Sequence, residues 1–320
     1  MKIFVSTKIP QVGIELLKSR GYSVTANQER RRISEDEVIA NCKDKDALLY
    51  ASSTRLTEKF FKQCAHLKIV ALMSAGYDHI AIDMARRYGV PVSNVSDALN
   101  KATADVAFLL MLTVSRNAFQ SSQRINRNEW SFSFPTENLG VELYGKTLGV
   151  FGLGSIGYEM AKKARMMYDM PIIYHNRSPR HSVADTLDAR YVDFDTLLEE
   201  SDVLSVHANL TDQTRERFNR AAFRKMKPTA IFINTARGGL HNEPDLIEAL
   251  NKKEIWGAGL DVTNPEPMQA DNPLLAMPNV CVLPHIGSAT VETRNAMANT
   301  AARNIIAALS GEKIPHQITD

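Results

Sequence analysis

Short apolar runs alternate with amphipathic stretches over the first hundred residues of the chain. Residues 2–6, 22–26, 47–51, 68–73 and 90–95 are brief and apolar, the pattern of buried strands. Residues 11–19 place apolar positions at helical spacing and stop before Gly21. Ser34 stands three residues ahead of Glu37, the spacing of a capping box, and predicts a helix to Cys42. This alternation implies a parallel α/β sheet. A longer helical pattern, 102–116, is apolar nearly all round through Val106 to Leu112, which places it between layers rather than on a surface. The rhythm breaks at 119–143, a polar segment with Pro135 and Gly140 that carries Trp130, Phe132 and Phe134. Exposed aromatics on a long irregular arm imply packing against a partner subunit, with a flap over the chain's own core as the alternative. A second alternation starts at Thr147, with strands expected at 147–151, 171–174, 203–207, 230–234, 257–262 and 280–283. An Ala-rich helix at 289–309 ends the pattern.

Where the second alternation begins, the strand runs into Gly152-Leu153-Gly154-Ser155-Ile156-Gly157, a G-x-G-x-x-G that opens a helical pattern to Met167. Gly152 permits a tight turn, Gly154 lets the backbone approach a pyrophosphate, and Gly157 lets helix and strand pack closely. The free N–H groups and positive dipole end of that helix favour phosphate. Strand, glycines and helix together predict a dinucleotide site.

Composition narrows the classes. The chain has 320 residues, 44% hydrophobic, enough for two domains with real cores. Thirty-eight Lys and Arg against 36 Asp and Glu leave a net charge of +2, which offers no electrostatic case for nucleic acid or anionic membrane. The opening run 1–5 is too short for a secretory signal, and no stretch approaches the ~18 apolar residues of a membrane span. Cys42, Cys64 and Cys281 lack metal-type spacing and read as small buried hydrophobes, so no metal site is expected. A soluble cytoplasmic protein is the expectation.

Three further stretches follow in order: Asn234-Thr235-Ala236-Arg237-Gly238; Gly259-Leu260-Asp261-Val262 leading to Pro265-Glu266-Pro267; and Leu283-Pro284-His285-Ile286-Gly287-Ser288. With Lys68-Ile69-Val70, Ser74-Ala75-Gly76-Tyr77-Asp78-His79 and Gly89-Val90-Pro91-Val92, they resemble the D-isomer-specific 2-hydroxyacid dehydrogenases over nearly the whole chain. Within that family the chain is most similar to glyoxylate/hydroxypyruvate reductases. The resemblance implies an α/β fold of two Rossmann-like parallel-sheet domains. A cofactor domain, 99–288, would be inserted into a discontinuous substrate domain, 1–98 and 289–320, with a dimerisation arm near 119–145. It also implies a homodimer and NAD(P)H-dependent reduction of a small 2-oxo acid, glyoxylate or hydroxypyruvate first, to the D-2-hydroxy acid. D-lactate-type and D-phosphoglycerate-type dehydrogenases are rivals, and a non-catalytic, dinucleotide-sensing corepressor-like scaffold is the reading from another class.

Reduction of an oxo acid needs a grip on carboxylate, polarisation of the carbonyl, and a proton. Arg237, just past a strand, can bind carboxylate and carbonyl oxygens with one planar, permanently charged fork. His285 is the candidate proton donor, and the resemblance sets Glu266 against it, where a carboxylate favours imidazolium. By the same resemblance Ala75 and Gly76 would donate N–H groups to the substrate carboxylate. Ser155 and Ile156 would lie along the pyrophosphate, Thr235 and Ala236 would line the nicotinamide, and Asp261 would meet its carboxamide. An NAD-binding unit carries an acid about 20 residues beyond its glycines. Here His175 stands in that place, followed by Asn176, Arg177 and Ser178. Arg177 can pair with a 2′-phosphate and Ser178 can donate to it, so NADPH is expected ahead of NADH. The chain departs from the family's usual pattern at Asn209, where proline is frequent, and at His241, where an aliphatic is usual. It also lacks a second tryptophan in the arm, which leaves the substrate open.

Overall fold

Two parallel sheets organise the protein in a computed structural model that describes residues 1–132 and 134–319, apart from the side chains of His181 and Val183. Ser133 of the expected arm and Asp320 of the expected C-terminal segment lie outside the described residues. The chain divides into two units, Met1–Leu99 with Ser288–Asp320, and Asn100–Gly287.

The first unit holds β1 (Lys2–Val5), β2 (Ser23–Ala26), β3 (Ala47–Tyr50), β4 (Ile69–Leu72) and β5 (Val92–Ser93). They pair in the order β2-β1-β3-β4-β5, every pair parallel. β3 and β4 are buried along their whole length, which is why both read as unbroken apolar runs. The capping box forms: the Glu37 N–H donates to Ser34 Oγ at 3.3 Å, and the Ser34 N–H donates to Glu37 Oε2 at 2.8 Å. The last helix, Val291–Leu309, belongs to this unit and packs on the helix Gln11–Ser19 and on β3 and β4. Its N-cap is Thr290, whose Oγ1 accepts the Thr293 N–H at 3.1 Å.

The second unit holds β6 (Leu148–Phe151), β7 (Ile172–His175), β8 (Arg190–Tyr191), β9 (Val203–Val206), β10 (Ile231–Asn234), β11 (Gly257–Leu260) and β12 (Val280–Val282). Their order is β12-β11-β10-β9-β6-β7-β8, all parallel. The chain reverses its direction of travel across the sheet between β6 and β9. Ligands bind beyond the carboxyl ends of the strands at such a switch point, and the glycine loop leaves β6 there. Phe151, Phe218, Phe223 and Phe232 build the core on one face. On the other, Leu110, Met111, Met160 and Ile233 pack together.

Two expectations need correction. The apolar helix, Asn100–Ser115, buries Ala104, Ala107, Leu110, Met111 and Val114, but Leu109 is exposed. It packs on β10, β11 and the helix Ser155–Tyr168, and one side stays open. The arm is not irregular throughout, because Ala118–Asn126 is a helix. Beyond it Trp130, Phe132, Phe134, Leu139 and Tyr144 are exposed. No helix among the described residues is long and apolar enough to cross a membrane.

Candidate active site

The glycine loop obeys tight steric limits. Gly152 has φ +99°, and a Cβ there would lie 2.7 Å from the Ala208 amide nitrogen. A Cβ on Gly157 would run into the Gly152 carbonyl oxygen. At Gly154, by contrast, nothing lies within 4 Å of the Cβ position, so the approach to the loop is open. Gly154 is the N-cap of the helix Ser155–Tyr168 and supplies no side-chain acceptor, which leaves the first N–H groups, at Ser155 and Ile156, for a ligand. Thr235 Oγ1, after β10, is buried with no partner among the described residues. An open approach, an uncapped helix start and an orphaned hydroxyl suit a dinucleotide.

Asn176 does more than the sequence indicated. Its Oδ1 accepts the Leu153 N–H at 2.7 Å, tying the end of β7 to the glycine loop. Arg177 and Ser178, next along the chain, are exposed. His175 donates from Nδ1 to the Val192 carbonyl at 2.9 Å and stacks on Phe151 and Tyr191.

Arg237 follows β10 in extended conformation, half-buried, and its Nη1 donates to the Ala236 carbonyl at 2.7 Å. Thr235 is buried and Ala236 half-buried in the same turn. The buried Asn234 side chain spans that turn, accepting the Ala236 N–H at 3.0 Å and donating to the Arg237 carbonyl at 2.9 Å. The sequence reading missed this role, although an amide at the end of a strand is a recognised signal for a side-chain-stapled turn.

His285 and Glu266 meet. Nδ1 lies 2.7 Å from Oε1, with the two side chains 45% and 43% exposed. A carboxylate can only accept, so Nδ1 carries the proton and Nε2, with no partner among the described residues, is the atom available to a substrate. Burial raises the Glu266 carboxyl, but the hydrogen bond and charge of His285, a backbone hydrogen bond at Thr263 and the charge of Arg237 outweigh it. The group therefore sits below the ordinary carboxylate value. Arg237 and His285 thus both act on Glu266, and all three lie in the second unit. His285 has φ +55°, a conformation side chains resist. Asp261, buried at the end of β11, accepts the next two N–H groups, Ile286 to Oδ1 and Gly287 to Oδ2, both at 2.7 Å. Burial raises the Asp261 carboxyl above its ordinary value despite those two donors. The residue expected at the nicotinamide carboxamide therefore also anchors the histidine turn.

Ala75 and Gly76 lie in the first unit, in the turn after β4. Their N–H groups have no acceptor among the described residues. The turn is braced by the Ala75 carbonyl accepting from Asn94 Nδ2 at 2.9 Å and the Gly76 carbonyl accepting from Ser74 Oγ at 2.8 Å.

Residues 108–287 match the family model described as the NAD-binding domain of D-isomer-specific 2-hydroxyacid dehydrogenases. The chain belongs to that family. Its members are oxidoreductases, and the second unit is thereby an NAD-binding domain. A glyoxylate reductase of Pyrococcus furiosus is 38% identical over 98% of this chain and 94% of its own length. A glyoxylate/hydroxypyruvate reductase B of Escherichia fergusonii is 38% identical over 97% of this chain and 95% of its own. Among solved structures, the NADPH-dependent glyoxylate/hydroxypyruvate reductase of Sinorhizobium meliloti, in complex with NADP and malonate, superimposes with TM-score 0.87 at 30% identity. That match covers 99% of this chain and 96% of the other.

Proposed function

We propose that this 2-hydroxyacid dehydrogenase reduces glyoxylate, and hydroxypyruvate as a second substrate, to the D-2-hydroxy acid, with NADPH preferred over NADH. The reading rests first on the His285–Glu266 pair, 2.7 Å apart and within reach of the Arg237 charge. The relatives named for these two activities support it. The bound nicotinamide supplies the hydride. Arg237 grips the substrate carboxylate and polarises the oxo group, and Ala75 and Gly76 of the first unit are assigned to substrate binding through their N–H groups. His285 Nε2 gives its proton to the oxygen that becomes the alkoxide, and Glu266 stabilises the imidazolium before the transfer.

Gly152, Gly154, Ser155, Ile156 and Gly157 are assigned to the pyrophosphate, and Thr235, Ala236 and Asp261 to the nicotinamide end. Arg177 and Ser178 are assigned to the 2′-phosphate, with Asn176 holding their loop. Residues 1–98 and 289–320 form the substrate domain in this reading, 99–288 the cofactor domain, and 119–145 the arm of a homodimer. The test is a panel of 2-oxo acids offered with NADPH and with NADH. The proposal expects NADPH oxidation that is fastest with glyoxylate or hydroxypyruvate. Tight NADPH binding with negligible oxidation for every acid would overturn it in favour of a dinucleotide-sensing scaffold.

A further inference from the structure

Asn234 and His241 form a buried pair that the scheme above does not use; Asn234 is fully buried and His241 is 1% exposed. The orientation of the Asn234 amide follows from its partners. Its Oδ1 accepts the Ala236 N–H at 3.0 Å, so the other end is the donor Nδ2. Nδ2 reaches both the Arg237 carbonyl at 2.9 Å and His241 Nδ1 at 3.1 Å. A donor facing Nδ1 requires a bare lone pair there, which places the imidazole proton on Nε2. Nε2 is buried and has no partner among the described residues. Native interiors seldom strand a donor in this way, so the position calls for a reason. Phe232 lies edge-on to the ring at 5.8 Å, and a leucine would fill such surroundings with no stranded atom. Between the pair runs only the Arg237 turn and the short 3-10 helix Gly238–Leu240. One amide therefore holds the start of the Arg237 turn, and one imidazole holds the amide.

We propose that His241 is a positioning residue for Arg237: its Nδ1 keeps the Asn234 amide in the orientation that fixes the Ala236 N–H and the Arg237 carbonyl, and so aims the guanidinium. The inference rests on the reading that Arg237 grips the 2-oxo acid. It places the larger consequence in substrate handling, and a smaller one at the nicotinamide end, because Ala236 shares the clamped turn with Arg237.

Two substitutions test it on the full-length, NADPH-loaded protein. His241→Leu fills the space without an acceptor, while His241→Asn offers a carbonyl oxygen close to where Nδ1 stands. His241→Leu is expected to lower kcat/KM for glyoxylate by at least about tenfold, mainly through KM, since misplacing a binding group by ~1 Å can cost about 100-fold. The NADPH dissociation constant, followed by nicotinamide fluorescence, is expected to stay within about twofold, and His241→Asn to recover most of the lost kcat/KM. Wild-type kinetics in His241→Leu, or equal losses in both variants, would overturn the proposal. Amide hydrogen exchange over 235–240 is the second readout: faster in His241→Leu and unchanged in His241→Asn. If the wild type turns over no oxo acid, the functional reading fails, and exchange decides the clamp alone. Unaltered exchange in His241→Leu then sinks it.

Discussion

His285 sits in a left-handed backbone that costs a non-glycine residue on the order of 1 kcal/mol, and the Asp261 carboxylate offsets that cost through the Ile286 and Gly287 N–H groups. Glu266 acts on the ring itself. Glu266→Gln keeps a hydrogen-bonding group beside Nδ1 but removes the charge, so kcat for reduction should fall about 10- to 100-fold. The pH–rate profile should also move; an unmoved profile would take Glu266 out of the proton chemistry. Arg177 is exposed, and the proposed reading pairs it with the 2′-phosphate. Arg177→Ala should lower the NADPH-over-NADH ratio of kcat/KM at least about tenfold, roughly what one charge-assisted hydrogen bond supplies. A ratio that stays put would assign coenzyme choice elsewhere. The meeting of Glu266 with His285 was legible because each stands in a short motif that the family resemblance sets against the other. That Asp261 anchors the histidine turn was not legible. Its two donors lie 25 and 26 residues away along the chain, and nothing local announces them.

Elements with a continuous apolar run were readable in advance, since a strand buried on both faces leaves no alternation to misread. β8 escaped because it is two residues long and both are exposed. The helix Ala118–Asn126 escaped for a different reason. Its central residues, Gln120 to Arg124, are polar, and it follows directly on the helix Asn100–Ser115 across Asn117, whose φ is +48°. That left-handed residue redirects the chain into the arm. Past the helix Trp130 is 64% and Phe132 67% exposed, an apolar surface that water does not favour. If the arm closes on a second copy, Trp130→Asp with Phe132→Asp should halve the mass measured by light scattering at micromolar concentration. A wild type that already runs as a monomer would dismiss the arm as a dimer contact.

Stability of the whole molecule should respond to acid through His241, which burial lowers from 6.5 to about 4. Between those values the unfolded chain binds a proton that the folded chain refuses. Stability is therefore fully present above about 6.5 and declines as the pH falls toward 4. From pH 7 to pH 5 this amounts to on the order of 2 kcal/mol. Urea midpoints at the two pH values should show it, and His241→Leu should flatten that part of the difference. A slope identical in wild type and variant would show that His241 is not the group responsible. The two-unit division was harder to read from local pattern than the elements were, because an alternation of strands and helices does not say which sheet a helix joins. The helix Val291–Leu309 makes the point: it lies against Gln11–Ser19, nearly the full length of the chain away. A ribosome delivering this polypeptide from its N-terminus thus completes the NAD-binding unit first. The strands made earliest wait, with one face of β3 and β4 uncovered, until the last helix emerges, and it is during that interval that a nascent chain most needs a chaperone.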